Sequence, residues 1–283
     1  MVAQEEGQRR SGRLVVLAVA AGLLACTCAT GCSGGGAAAE DARARSDSVE
    51  VLHHAAATLA HAGSAKARTS MEMATGGTRV TIRGQGVYDF RKQTGQFKVL
   101  LPEDPAGTDE HRPITELLTP GALFMKNRGA GVPDDKWVRV DTAGLSDGNL
   151  VTGGATDPYA AAELLRGART ATYVGRTEVA GTPVRHYRGT ADLDIAASSA
   201  SKGQRSALRA AAKGFATAEV PFDAYLDDQG RLRKVRHRFS FVNGLRKGTV
   251  AVASTTLLYD FGAPADVRLP ARGDIYAGKI AEQ

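Results

Sequence analysis

Residues 220–241 read VPFDAYLDDQGRLRKVRHRFSF, and this stretch decides the fold. Val220, Phe222, Ala224 and Leu226 alternate with Pro221, Asp223 and Tyr225. Asp228-Gln229-Gly230 marks a turn, after which Val235, His237, Phe239 and Phe241 alternate again. A period of two puts one set of side chains on one face of a strand and the rest on the other. Two such runs joined by a short Asp/Gly turn predict an antiparallel hairpin with one face buried. On the opposite face of the second run stand Lys234, Arg236 and Arg238, which suit solvent or anionic headgroups.

The same pattern extends in both directions. C-terminally, Leu257, Tyr259 and Phe261 close a last strand. N-terminally, Tyr173 to Val179 and Val184 to Ala191 flank Ala180-Gly181 as another hairpin. Earlier still, Met71 and Met73 lead one strand, while Val80, Ile82, Gly84 and Gly86 share a face of a second that ends at Tyr88. Phe97 and Val99 mark a third; Ile114 to Leu118, Ala122 to Lys126 and Trp137 to Val140 supply three more.

Helices punctuate the strands. Leu52, Ala55, Ala56, Leu59 and Ala62 recur at helical spacing over residues 46–62, and Gly63 stops them. Asp157 and Pro158 are a cap and a first helical residue, with Gly167 closing that short helix. Residues 195–215 form a helical region divided near Gly203, with Leu208, Ala211, Ala212 and Phe215 inward. Strands in antiparallel succession with interspersed helices define an α+β domain, an antiparallel sheet with helices on one side. The inward series are rich in Ala, Gly, Val and Thr. A curved sheet lined by small residues is compatible with an apolar cavity roofed by the helices, or with a filled core. Met71, Met73, Ile82, Phe97, Val99, Phe222, Phe239, Phe241, Leu257 and Tyr259 are the candidate cavity or core positions.

The first 32 residues read as an export leader. Arg9, Arg10 and Arg13 precede an apolar run from Leu14 to Ala25, too short to span a bilayer of ~30 Å. Ala29-Thr30-Gly31-Cys32 then fits a lipobox, with a small residue before a cysteine that would take a diacylglyceryl group. Cys26 also fits the pattern; the Ser33-Gly34-Gly35-Gly36 tract directly after Cys32 favours the latter. The arginine pair leaves both general and twin-arginine export open. Residues 33–45 are expected to be a flexible tether reaching ~20 Å, residues 46–270 the domain, and residues 271–283 a tail. The expected address is the outer face of the plasma membrane, held by the lipid.

All three cysteines, Cys26, Cys28 and Cys32, lie in the leader, which excludes a disulfide framework from the rest. The net charge is +6, of which the leader contributes +1, so the domain and tether carry +5. Outside a membrane such a balance favours anionic surfaces. No nucleic-acid motif is present, and nucleic acid is not an expected partner.

Several stretches resemble a known family. They are Val80 to Phe90 (VTIRGQGVYDF), Ala122 to Lys126 before Lys136 to Asp141, Arg185 to Asp194, Val220 to Arg231, and Leu258 to Gly262. With the lipobox, their order and spacing resemble the LolA-like lipoproteins, nearest to the LppX/LprG group of actinobacterial envelope proteins. The resemblance covers roughly residues 48–269. It implies a half-barrel of antiparallel strands whose concave face is covered by helices around an apolar cavity. It also implies a non-enzymatic protein that carries or presents acyl chains of lipids or glycolipids. The same fold can instead serve as a sensor or scaffold for an envelope protein partner. No catalytic residue and no cofactor come with the resemblance; its acylated cysteine corresponds to Cys32.

Catalytic strings are present without their contexts. Gly144-Leu145-Ser146-Asp147-Gly148 fits G-x-S-x-G, yet a Gly-rich polar run follows where a nucleophile elbow needs a helix. His186 and His237 are the candidate histidines for its base. Ser199-Ala200-Ser201-Lys202 fits S-x-x-K without a later K-T-G. His53, His54 and His61 lack the four-residue spacing of a zinc helix, and Asp104, Asp109 and Glu110 lack the order of a calcium loop. No metal is expected.

Overall fold

The computed structural model describes residues 34–75, 77–102, 112–129, 131–243 and 248–278. The leader with its three cysteines lies outside the described residues, as do Asp104, Asp109 and Glu110.

Eleven antiparallel strands form one sheet. They are β1 (Ser64–Thr75), β2 (Thr78–Asp89), β3 (Thr94–Leu100), β4 (Ile114–Thr119), β5 (Ala122–Lys126), β6 (Trp137–Asp141), β7 (Ala168–Val179), β8 (Thr182–Asp192), β9 (Glu219–Leu226), β10 (Leu232–Asn243) and β11 (Gly248–Tyr259). Their spatial order is β6-β5-β4-β3-β2-β1-β11-β10-β9-β8-β7. The sheet is not closed: β6 and β7 are its edges. The first strand pairs with the last, so β1–β11 joins two meanders that the chain makes separately.

The hairpin that opened the sequence reading forms as expected, with His237 opposite Phe222 and Val235 opposite Ala224. Its register shifts between Leu232 and Lys234, leaving Arg233 as an extra residue. The β7–β8 ladder shifts likewise between Tyr173 and Gly175. Such irregularities bend strands and increase twist. Ala180 (φ 49°) and Gly181 (φ 75°) both take the left-handed conformation, as the tightest two-residue turns require.

Five helices accompany the sheet: α1 (Gly34–His53), α2 (Ala55–Ala62), α3 (Pro158–Glu163), α4 (Leu193–Ser199) and α5 (Arg205–Gly214). Asp157 caps α3 by accepting from the Tyr159 and Ala160 amides at 2.7 and 3.2 Å, and Gln204 donates to its other oxygen at 3.3 Å. Asp192 caps α4 in the same way through Asp194 and Ile195. The divided helix near Gly203 is therefore α4 and α5, joined by a turn.

Two expectations about the N-terminal region need correction. The helix expected over residues 46–62 is two helices, interrupted at His54. The segment 34–45, expected as a flexible tether, is the first half of α1. Alanine is the best helix former, and Ala37, Ala38, Ala39, Ala42 and Ala44 let the helix propagate outward from its anchored end. That end is held where Leu52 is buried and His53 Nε2 meets the Ala168 carbonyl at 2.9 Å.

All helices lie against one face. There the sheet contributes Met71, Ile82, Phe97, Val99, Phe222 and Val252; the helices contribute Leu52, Leu59, Tyr159, Leu208 and Ala211, and the turn after α3 contributes Leu164. Each fully buried large side chain here contributes ~1.5–3 kcal/mol. A second, smaller cluster lies on the opposite, open face. Val267 and Ile275 pack there over Leu117, Ala122, Phe124 and Trp137. Ile275 bridges to Trp137, and the Tyr276 amide donates to the Trp137 carbonyl at 2.8 Å. Residues expected as a free tail thus cover one end of the open face.

Candidate ligand-binding groove

The alternation places the ten candidate residues on two faces. Met71, Ile82, Phe97, Val99, Phe222 and Phe239 are buried under the helices, and Met73 and Phe241 are partly buried against the same cluster. Leu257 and Tyr259 face the other way. They sit opposite Arg68 and Lys66, whereas the inward residues of β11 are Val250, Val252, Ser254, Thr256 and Leu258. The correction has a simple cause. The run Thr255 to Tyr259 carries no apolar/polar alternation: the adjacent Leu257 and Leu258 point to opposite faces, and Leu258 is the one buried inward.

The layer between helices and sheet is filled by side chains where the candidate residues lie. Phe97 and Phe222 have no exposed surface, and Phe215 stacks on Phe239 with ring centres 4.9 Å apart. A gap between α3, α5 and β4–β5 amounts to about 10 Å³, at the limit for one water. A pocket of about 140 Å³ opens near Ser146, Asp147 and Phe215. These volumes fall below the ~300–1,000 Å³ usual for ligand sites.

A groove of about 600 Å³ lies on the open face. Its floor comes from β10, β11, β1, β2 and β3, and its wall includes Glu178, Val179 and Ala180 at the β7–β8 turn. In the sheet, β7 is five strands from β1 and seven from β3. For one groove to touch both, the twisted sheet must bring the hairpin tip back over this face. The tip is tied down by Arg233, which donates to Thr182 Oγ1 at 3.1 Å, and Val179 is buried beneath it.

The ladder registers order the groove floor. Lys234, Leu257, Arg68, Gln85 and Lys98 lie side by side on successive strands from β10 to β3. Thr255, Ser70, Arg83 and Leu100 form the adjacent row. At ~4.8 Å per strand, the first row spans roughly 19 Å. Leu100 is half exposed and Leu257 half buried, so apolar surface alternates with cations. A second, shallower groove of about 500 Å³ adjoins it, lined by Lys66, Gln96, Tyr259, Pro264 and Asp266 among others.

Among the described residues, none of Arg68, Arg83, Lys98 and Lys234 forms an ion pair. Arg68 lies over the Tyr259 ring at 4.9 Å and Lys234 over the Tyr225 ring at 5.2 Å. Other cations of the same face are paired. Lys66 meets Asp260 at 2.9 Å and Arg236 meets Glu72 at 3.3 Å. Asp223 receives Arg238 at 2.7 Å, Arg188 at 2.9 Å and His186 Nε2 at 2.8 Å. Burial alone would raise the Asp223 carboxyl, but these three donors outweigh it and hold it at about 2.

On the helix-covered face the sheet buries Glu116 and His237, among other titratable groups. Burial pushes the Glu116 carboxyl up to about 8, an effect that Arg128 and the Ala155 amide only moderate. Burial likewise holds His237 down to about 3, with Arg238 adding to the effect. At neutral pH both are uncharged, as an apolar surrounding demands.

The catalytic strings stay dispersed. Ser146 is exposed in a turn, and the next helix begins only at Pro158, so the strand–turn–helix of a nucleophile elbow is not formed. His237 is buried beneath the helices, and His186 is engaged with Asp223. Ser199 ends α4, and Lys202 is exposed in the turn beyond it. His53 and His61 bond backbone carbonyls of Ala168 and Ala57. No group of three metal-ligating residues occurs among the described residues.

The residues that sequence reasoning missed are Arg68, Arg83, Lys98 and Leu100. A signal was available: they occupy the polar parity of β1, β2 and β3, where Leu100 interrupts a run of outward-facing polar residues.

No protein-family model and no curated protein matches the chain. Among solved structures it is similar to LprF from Mycobacterium bovis, with 13% identity, 80% of this chain and 98% of that chain covered, and a TM-score of 0.40. It is similar to the lipoprotein LppX of Mycobacterium tuberculosis at 9% identity, with coverages of 79% and 99% and a TM-score of 0.43. The MucA/MucB complex of Pseudomonas aeruginosa follows at 15% identity, coverages of 83% and 63%, and a TM-score of 0.32. LprF and LppX represent the LppX/LprG group that the sequence resembles, and the likeness is one of fold.

Proposed function

We propose that this chain is an exported lipoprotein, anchored through Cys32, that binds acyl chains of a lipid or glycolipid and carries or presents them in the cell envelope. One observation carries the reading: a groove of about 600 Å³ combines exposed apolar side chains with an uncovered sheet face. Each methylene buried there contributes about 0.8 kcal/mol relative to water, but almost nothing relative to a bilayer. A carrier of this kind needs only to match the membrane, so small differences set loading and release. Among the described residues, no helix is long and apolar enough to cross a membrane. Anchorage in this reading therefore falls to the lipid on Cys32. No cofactor and no catalytic group enter the proposal.

The test is native mass spectrometry of the protein purified from its own envelope, followed by titration with envelope lipids. Co-purified acyl-bearing lipid is the expected result, and L100Q/L257Q is expected to lose it. A protein that arrives empty and ignores added lipid would sink the proposal. A second reading, an adaptor for an envelope protein, rests on edge strand β7, where Tyr173 and Val174 are about half exposed. Cross-linking in membranes that captures one protein partner through β7, with no lipid bound, would favour it.

A further inference from the structure

We infer that the open-face groove selects amphiphiles whose head is a phosphate or comparably charged anion, over neutral amphiphiles with the same chains. The inference rests on the lipid-binding reading above and names the ligand class of that site.

Arg83 is the centre of the argument. On β2 it lies opposite Ser70 and Leu100. Arg68 is two residues from Ser70 on β1, and Lys98 two residues from Leu100 on β3. Both are diagonal neighbours of Arg83, at a spacing of ~7–8 Å that long side chains bridge. Three cations therefore surround Gln85 on one side of the groove. Leu257, Leu100 and the buried Val179 supply its apolar part, with Lys234 on the next strand beyond Leu257.

Like charges held together repel one another, and sheet neighbours of one sign destabilise the ladder. Elsewhere on this face the chain relieves that cost with Asp260, Glu72 and Asp223. Among the described residues the groove is lined by one carboxylate, the exposed Glu178, which makes no ion pair; Glu72, two residues from Ser70 on β1, is engaged by Arg236. A bound anion supplies the countercharge that the described residues leave out. Arginine presents two parallel N–H donors to a phosphate, while lysine adds a point charge, so Arg68 and Arg83 fix the head and Lys98 neutralises it.

The experiment uses the full chain as C26S/C32S, free of acylation, with four probes titrated by calorimetry. They are dihexanoyl phosphatidylglycerol, dihexanoyl phosphatidylcholine, dihexanoylglycerol and inorganic phosphate. Phosphatidylglycerol is expected to bind at least tenfold tighter than the two lipids without net charge, with the gap shrinking as salt rises from 50 to 500 mM. R83Q/K98Q is expected to close the gap. R169Q/R188Q, which removes an equal two charges outside the groove, is expected to keep it. Equal binding of all three lipids, or an equal loss in R169Q/R188Q, would overturn headgroup selection and leave lipid carriage standing. Phosphate binding as tightly as phosphatidylglycerol would assign the groove to a free anion and overturn the inference. If none of the lipids binds, the carrier reading itself fails.

Discussion

The two faces of this sheet solve opposite problems with one alternation. Under the helices, β1, β2, β3, β10 and β11 present Met71, Ile82, Phe97, Phe239 and Val252, which are buried in one hydrophobic cluster. On the open face the same strands present Arg68, Arg83, Lys98, Lys234 and Leu257 around a groove. The first face minimises free energy by excluding water. The second keeps charge and apolar surface together in water, which folding alone does not require. The difference teaches where to look for function: on the side whose side chains are left uncompensated, not on the side with most hydrophobic residues.

The sharpest test of that contrast is a pair of truncations. Phe222→Ala, under the helices, is expected to cost ~3–5 kcal/mol in denaturant unfolding, because a closed layer cannot refill the void. Leu100→Ala, on the open face, is expected to change stability by less than ~0.5 kcal/mol while weakening lipid binding. Comparable losses in both would erase the distinction between the faces.

The buried pair gives the next largest effect. Glu116, raised from 4.5 to about 8, is neutral in the folded chain and ionised in the unfolded one between those values. Its stabilisation is full below pH 4.5 and is lost as pH rises through 8. His237, lowered from 6.5 to about 3, stays neutral when folded. Its contribution is full above pH 6.5 and is lost as pH falls through 3. Together they are most favourable between about pH 4.5 and 6.5. Glu116→Gln is expected to remove a fall of roughly 2 kcal/mol between pH 6.5 and 8, as read by melting curves. A wild-type profile that stays flat there would place Glu116 in water.

Asp223 extends the comparison to the open face. Asp223→Asn leaves Arg188 and Arg238 facing each other, and after screening by solvent a loss of about 1–2 kcal/mol is expected at pH 7. The native contribution is present above the ordinary value of 3.8 and is lost as pH falls through about 2. The asparagine variant should therefore converge on wild type in acid. The smallest effect lies at the hairpin tip. Ala180 holds φ 49°, so Ala180→Gly is expected to stabilise by ~0.5–1 kcal/mol in thermal unfolding.

Much of the architecture was legible residue by residue. Val220 to Leu226, Ala122 to Lys126 and the Ala180-Gly181 turn fall where alternation and turn chemistry put them. Asp157 marks a helix start through hydrogen bonds made within three residues, whereas the like cap at Asp192 starts α4 two residues before the expected 195. The failures are instructive. Alanines after the Gly tract read as a tether yet extend α1, because a docked helix lowers the cost of adding turns. Leu257 and Tyr259 read as inward because apolar residues usually are, but Leu258 between them takes the inward position, in phase with Ser254 and Thr256. Thr156 Oγ1 meets Ser254 Oγ at 2.6 Å, a polar contact 98 residues away in the chain. Gly84 fits the same pattern: a Cβ there would stand 2.5 Å from Thr69 Oγ1 and 3.2 Å from Ala155.

By itself the sequence determined the strands, most helix boundaries, the caps and the turns, because each is fixed by neighbours a few residues apart. Tertiary structure alone decided that β1 meets β11, which face the helices cover, and that a distant hairpin tip walls a groove. It also decided that Arg68, Arg83 and Lys98 become neighbours, with no ion pair among the described residues. The physical reason is that periodicity reports which side chains share a face, whereas what covers that face depends on pairings across the whole chain.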